Sequence, residues 1–118
     1  MPEAYSSDVG NKTPDNLVMS EDFMTKGVTI ASGEGEIARG TIMARVTASR
    51  KYVVCDVAAS DGSEIPRGIL VRDVDATSSD EPSSIYTFGK FDKNSISNYT
   101  DALADKLQEF GIIIEEAK

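Results

Sequence analysis

The sequence contains no histidine, no tryptophan and a single cysteine among its 118 residues. Without histidine, Ser-His-Asp triads, Cys-His pairs and histidine-ligated zinc sites are excluded, and one cysteine cannot form an internal disulfide. No apolar stretch approaches the roughly 20 residues that a membrane-spanning helix requires. The first ten residues (MPEAYSSDVG) show neither the basic nor the apolar part of a secretion signal. We therefore expect a protein made in the cytoplasm, with no membrane partner.

Positive charge is also scarce, since 12 lysines and arginines stand against 20 aspartates and glutamates, for a net charge of −8. Such a chain would be repelled by a phosphate backbone, and no basic stripe with interleaved aromatic residues is present. The hydrophobic content of 40% and the charged content of 27% are those of one globular domain. These counts favour a binding or structural protein without a nucleic-acid partner over an enzyme.

Residues 1–26 differ from the rest in composition. Polar and chain-breaking residues dominate, with five acids, two lysines and a few larger apolar side chains that keep neither a helical nor a strand period. We predict that residues 1–26 form a flexible N-terminal arm with a short apolar cluster and that residues 27–118 form the folded domain. A solvated tail without a binding role fits this composition equally well.

Short β-prone runs separated by turn residues follow the arm. The alternation of apolar and polar residues predicts strands at 27–30, 41–47, 52–55, 69–71 and 85–91. The strand at 41–47 has the period of a half-buried strand, and Gly89 is a predicted bulge. Residues 78–84 form a predicted polar loop.

The period changes towards the C-terminus. Tyr99, Leu103, Leu107 and Phe110 form one stripe of a helix, which Ser97 or Asn98 would cap and Gly111 would end. The apolar run at 112–114 predicts a last strand. The residues thus indicate a mainly β fold with one C-terminal helix.

Three motifs that suggest cofactor, metal or catalytic chemistry have simpler explanations. GEGEIA at 33–38 matches a dinucleotide fingerprint, but its two glutamates would face the pyrophosphate, so we expect a turn and no cofactor. An EF-hand loop starting at Asp73 would have serine where glycine and glutamate are required, so we expect a solvated acidic loop and no metal site. Cys55 lies in the apolar run YVVC and is a predicted packing residue.

Five segments follow one another in a familiar order. They are GVTIASG at 27–33, ARGTIMARVT at 38–47, KYV and AASDGS within 51–63, PRGIL and DVDA within 66–76, and FGII at 110–113. Together they resemble the lambda-type bacteriophage head decoration proteins. The resemblance covers about residues 27–115. Residues 1–26 cannot be matched one by one to the family pattern.

The resemblance implies a function without catalysis or a small-molecule substrate. Family members are β-clip-like bent ribbons or partial barrels of short strands, which bind as homotrimers to the outside of the expanded phage head at three-fold sites. They stabilise the head against the pressure of packaged DNA. This implies a virion protein whose partners are the major capsid protein and further copies of itself.

The arm and the first strand are the predicted capsid-binding residues. In the family an arm adds a strand to the capsid protein, whose unpaired edge gains main-chain hydrogen bonds. Here the predicted contacts are Leu17, Val18, Met19, Phe23, Met24, Val28, Thr29 and Ile30. Two alternatives stay open at this point: a small β-barrel ligand-binding module, or another virion interaction protein such as a tail component.

Overall fold

A computed structural model describes residues 17–20 and 22–116. In this part of the chain, seven strands precede a single α-helix and an eighth strand follows it. The elements are β1 (Met24–Ile30), β2 (Gly35–Ile37), β3 (Ile42–Arg45), β4 (Tyr52–Val54), β5 (Pro66–Leu70), β6 (Val74–Ala76), β7 (Glu81–Asp92), a 3-10 turn (Lys93–Ser95), α1 (Asp101–Gln108) and β8 (Ile112–Glu115). None of the helices in the described ranges has the length and apolar character of a membrane span.

The main sheet curls into a partial barrel. Its strands hydrogen-bond in the order β1, β4, β3, β5, β7 and β8, and β1 also pairs with β7. The β1–β4 contact aligns one pair, Ile30 with Tyr52, so the barrel stays open along most of that seam. Strands β2 and β6 form a separate antiparallel pair. The prediction of a mainly β fold with one C-terminal helix is confirmed.

The long strand β7 joins most of the barrel. Its first part pairs with β1 and β5, and from Gly89 onwards it pairs with β8 in parallel. Gly89 has a φ of 140°, which a residue with a side chain rarely adopts. The register shift lies just before it, because Met24 faces Phe88 while Thr25 faces Tyr86. The predicted loop at 78–84 is therefore partly wrong, since β7 already begins at Glu81.

The core lies on both faces of β3. Ile42 and Ala44 pack with Phe91 and the helix residues in one apolar cluster, whereas Met43 packs with Ile30 in a second cluster. All three β3 residues are fully buried. The predicted alternation is correct, but the prediction of a half-buried strand is wrong, because the sheet curls around one face while α1 and β8 cover the other.

Strand β6 was not predicted. Val74–Ala76 pairs with Gly35–Ile37, where the sequence predicted a solvated acidic loop. The acidic Asp75 is exposed, so its charge stays in water while Ala76 is buried. The predicted glycine turn before β2 is confirmed by the positive φ angles of Gly33 and Gly35, 90° and 76°.

The helix is shorter than its apolar stripe. Thr100 is the N-cap, and its hydroxyl oxygen accepts the Leu103 N–H at 3.2 Å, so the predicted caps at Ser97 and Asn98 are wrong. Leu107 is buried like Leu103, but Phe110 lies beyond the helix and is half exposed. Gly111 follows with a φ of 94°, which confirms the predicted left-handed ending.

Candidate functional site

The described residues before β1 run beside the end of β7. Val18 forms an isolated antiparallel bridge with Phe91, and the Met19 N–H donates to the Lys90 carbonyl at 2.7 Å. Leu17 is only 1% exposed and packs in the same cluster as Phe91. Part of the predicted arm therefore contributes to the core. Residues 1–16 and 21 of the predicted arm lie outside the described residues.

An exposed apolar surface lies where β1 meets β7. Phe23, Met24 and Phe88, which we call the apolar patch, are 49%, 62% and 44% exposed. Met24 faces Phe88 across the two strands, and the Phe23 ring meets the Tyr86 ring edge-on, with 5.5 Å between centroids. Grouped apolar side chains exposed to water are typical of an interaction surface.

Two glycines allow the aromatic rings of this surface to lie close to the backbone. A Cβ on Gly111 would lie 2.8 Å from the Phe88 ring, and a Cβ on Gly89 would lie 3.2 Å from the Phe23 Cβ. Beside them is an open cavity of about 420 Å³ that Phe88, Gly89, Gly111 and Ile113 line. The patch therefore adjoins a mainly apolar recess on a backbone fixed by β7 and β8.

The first strand presents its predicted contact residues unevenly. Ile30 is fully buried in the second core cluster, Val28 is half-buried and Thr29 is exposed. Strand β1 is paired with β7 from Met24 to Ile30, and among the described residues its opposite edge meets a strand only at Ile30. An edge with unpaired main-chain groups can accept another strand.

The predicted contact residues therefore separate into two sets. Met19, Phe23, Met24 and Thr29 present exposed side chains, whereas Leu17 and Ile30 are buried in the core. Contact of any of the eight with a capsid stays a prediction. Sequence reasoning missed Phe88, because its alternation with Thr87 in the predicted strand 85–91 is the pattern of a side chain that faces the core, whereas Phe88 is exposed.

Cys55 occupies a packing position. Its side chain belongs to the first core cluster, and burial, with Asp56 nearby, raises the pKa of the thiol from 9.0 to about 11. A thiol with so high a pKa is a poor nucleophile near neutral pH. Within the described ranges, no group of three potential metal ligands lies close together.

The acidic side chains of the β2–β6 region make local hydrogen bonds. The Asp73 carboxylate accepts the Arg39 N–H at 2.7 Å, and Asp75 accepts the Thr77 hydroxyl at 2.5 Å. The hydrogen bond from Thr77 lowers the pKa of Asp75 below its usual 3.8. The Asp73 bond joins two segments that are 34 residues apart in sequence, whereas the Asp75 bond stabilises the turn that follows β6.

A model of a known protein family matches most of this chain. The family model of bacteriophage lambda head decoration protein D matches residues 8–110. The chain belongs to this family. None of the curated proteins compared with the chain matches it.

Membership confirms the family that the sequence motifs predicted. The chain is thus a phage head decoration protein, a structural protein associated with the capsid of the virion. The family match covers β1 to α1 and extends into the residues before β1. It favours head decoration over the alternatives of a tail component or a ligand-binding module.

Proposed function

We propose that this chain binds as a homotrimer to the outside of the expanded phage head, at three-fold sites, and stabilises the head against the pressure of packaged DNA. The family match is the observation that carries the proposal. A trimer engages neighbouring capsid subunits through three equivalent surfaces at once. Weak binding by each chain thereby becomes strong through effective concentration.

The apolar patch is the proposed centre of the capsid contact. Phe23 and Met24 are exposed at the start of β1, and Leu17 fixes the preceding segment in the core. We assign Leu17 and Ile30 a supporting role because their side chains face inwards. The proposed direct contacts are the exposed residues Met19, Phe23, Met24 and Thr29. Val18 and Val28 are half-buried and so belong to neither set.

Co-sedimentation with phage heads tests the proposal. The wild-type chain should sediment with expanded shells and much less with unexpanded shells, and light scattering of the free protein should give the mass of three chains. Absence of sedimentation with expanded shells would overturn the proposed function. A monomer that still binds would overturn only the trimer.

A variant of the patch tests the proposed contact. Phe23→Ser with Met24→Ser should weaken binding by about tenfold or more, because exposed aromatic anchors dominate the energy of interfaces. Val57→Ser is the matched control, since Val57 is 65% exposed and lies outside the patch. Circular dichroism should show that both variants fold. Equal binding by the patch variant and the control would argue against this contact surface.

A further inference from the structure

Basic side chains gather in one cleft of this acidic chain. Two adjoining cavities, about 500 and 270 Å³, open beside β1, β3 and β4 and share Lys26, Arg45 and Tyr52 in their linings. Arg50 lines the first cavity and Arg67 the second. No aspartate or glutamate is among the described residues that line either one. We call this surface the basic cleft.

The cleft holds polar atoms that lack partners. Arg45 Nε, Arg67 Nε and Ser83 Oγ are buried without a hydrogen-bond partner among the described residues, and all three residues line the cleft. Lys51, which follows Arg50 in the sequence, is instead paired with Asp80, with 2.6 Å between Nζ and Oδ2. A buried donor without an acceptor costs free energy, and a shift of these side chains towards an acceptor in the cleft would recover part of that cost.

Arg50 adds a second, independent observation. Its φ is 64°, and among the described residues it is the one with a side chain that has a positive φ. A glycine would adopt this turn conformation freely, whereas a side chain opposes it. An arginine in such a position, in the lining of the basic cleft, points to a use for its charge.

Resting on the proposed function, we infer that the basic cleft binds aspartate or glutamate side chains of an acidic segment of the major capsid protein. Guanidinium groups match carboxylates in geometry and bind them with two parallel hydrogen bonds. The net charge of −8 repels acidic partners elsewhere, so the cleft both attracts such a segment and fixes its orientation. The cleft adjoins the β1 residues 26–29, which follow Met24 of the apolar patch on the same strand.

Neutral variants test the inference on expanded shells. Arg45→Gln with Arg67→Gln should weaken co-sedimentation by about tenfold or more at low salt, because charged partners across an interface lose paired hydrogen bonds. Binding by the double variant should also depend less on salt concentration than binding by the wild type. Arg72→Gln is the control, since Arg72 is exposed and lines neither cavity. Wild-type-like binding by the double variant, or an equal loss in the control, would overturn the inference.

Arg50→Gly separates the charge from the fold. Relief of the positive φ should raise the melting temperature, while loss of the cation should weaken shell binding. A merely structural Arg50 would give higher stability with unchanged binding, which would overturn its role. This variant also decides the case if the double variant does not fold.

The identity of the occupant follows from two further measurements. If the cleft variants lose the trimer mass by light scattering, the occupant is a second copy of the chain and the capsid assignment is wrong. If the wild-type protein binds duplex DNA and the cleft variants do not, the occupant is a phosphate and the assignment is also wrong. If the wild-type protein fails to bind shells, the proposed function itself is wrong. If the wild type and the cleft variants bind shells equally well, only this inference is wrong.

Discussion

The side-chain amide of Asn98 hydrogen-bonds both backbone groups of Ile42. The Ile42 N–H donates to Asn98 Oδ1 at 2.8 Å, and Asn98 Nδ2 donates to the Ile42 carbonyl at 3.1 Å. Asn98 thus acts as a short substitute for a strand partner at the start of β3. It joins the segment before α1 to the barrel across 56 residues of sequence.

Replacement of Asn98 should therefore destabilise the whole fold. We expect Asn98→Ala to lower the free energy of unfolding by about 1–3 kcal/mol, because the N–H of the buried Ile42 loses its acceptor, whereas the Ile42 carbonyl still accepts the Cys55 N–H at 3.0 Å. Urea denaturation measures the change. Asn94→Ala is the control, since the Asn94 side chain is exposed. Equal midpoints for the two variants would show that the amide contributes little.

The positions of the strands were easier to predict from the sequence than the contacts that each strand makes. Alternation of residue types located β3 and the centre of β7, because a strand with a period of two keeps that pattern in its own residues. The role of Asn98 depends on Ile42, which is distant in sequence, so local patterns could not reveal it. Likewise, β6 pairs with β2 through its backbone, which its acidic side chains do not indicate.

The candidate site was predictable only in part. Apolar residues before β1 were visible in the sequence, but which of them face inwards depends on packing against β7. The basic cleft was not visible, because Lys26, Arg45 and Arg67 are far apart in sequence and meet only when β1, β3 and β5 come together.

Leu17 offers a sharp test of where the folded domain begins. Leu17→Ala should lower the free energy of unfolding by about 2–5 kcal/mol, because it leaves a cavity against Phe91. Met19→Ala should change it by less than about 0.5 kcal/mol, since Met19 is exposed. Thermal and urea unfolding measure both. A mild effect at Leu17 would show that residues 17–20 contribute little to stability.

Deletion of residues 1–26 would consequently be a poor test of capsid binding. It would remove Leu17 from the core and the first residues of β1 from their pairing with β7. Loss of binding could then reflect unfolding. Point variants on the apolar patch avoid this ambiguity.

Cys55 should make stability fall in alkaline solution. The folded-state pKa of about 11 lies above the ordinary value of 9.0, so the unfolded chain loses its thiol proton first. The thiol's contribution is therefore fully present below pH 9 and is lost as the pH rises through about 11. Urea midpoints from pH 8 to 11 should fall more steeply for wild type than for Cys55→Ala. Parallel curves would show that the thiol titrates normally.

Stability should be flat between about pH 5 and 8, because the sequence has no histidine to titrate there. Below that window it should fall. Hydrogen bonds from Ser63 and Thr77 and the contact with Lys51 lower the pKa values of Asp61, Asp75 and Asp80 below 3.8. Their contribution is present above the unfolded-state pKa and is lost as the pH falls through the folded-state values. Urea midpoints measured from acidic pH up to pH 8 check both the flat region and the fall below it. A step in the midpoint between pH 5 and 8 would contradict the predicted flat region.

Gly68 should tolerate no side chain. A Cβ there would lie 2.5 Å from the Tyr86 carbonyl oxygen and 2.7 Å from Ile85 Cδ1, so β5 and β7 would have to separate. We expect Gly68→Ala to lower the free energy of unfolding by about 1–3 kcal/mol, as overpacking does in well-packed cores. Gly27→Ala is the matched control, because nothing lies within 4 Å of its added Cβ, and it should leave stability unchanged or slightly raised. The Tyr86 ring also packs against the Phe23 ring, so the Gly68 variant should weaken shell binding as well. Unchanged binding would show that the apolar patch does not depend on the spacing between β5 and β7.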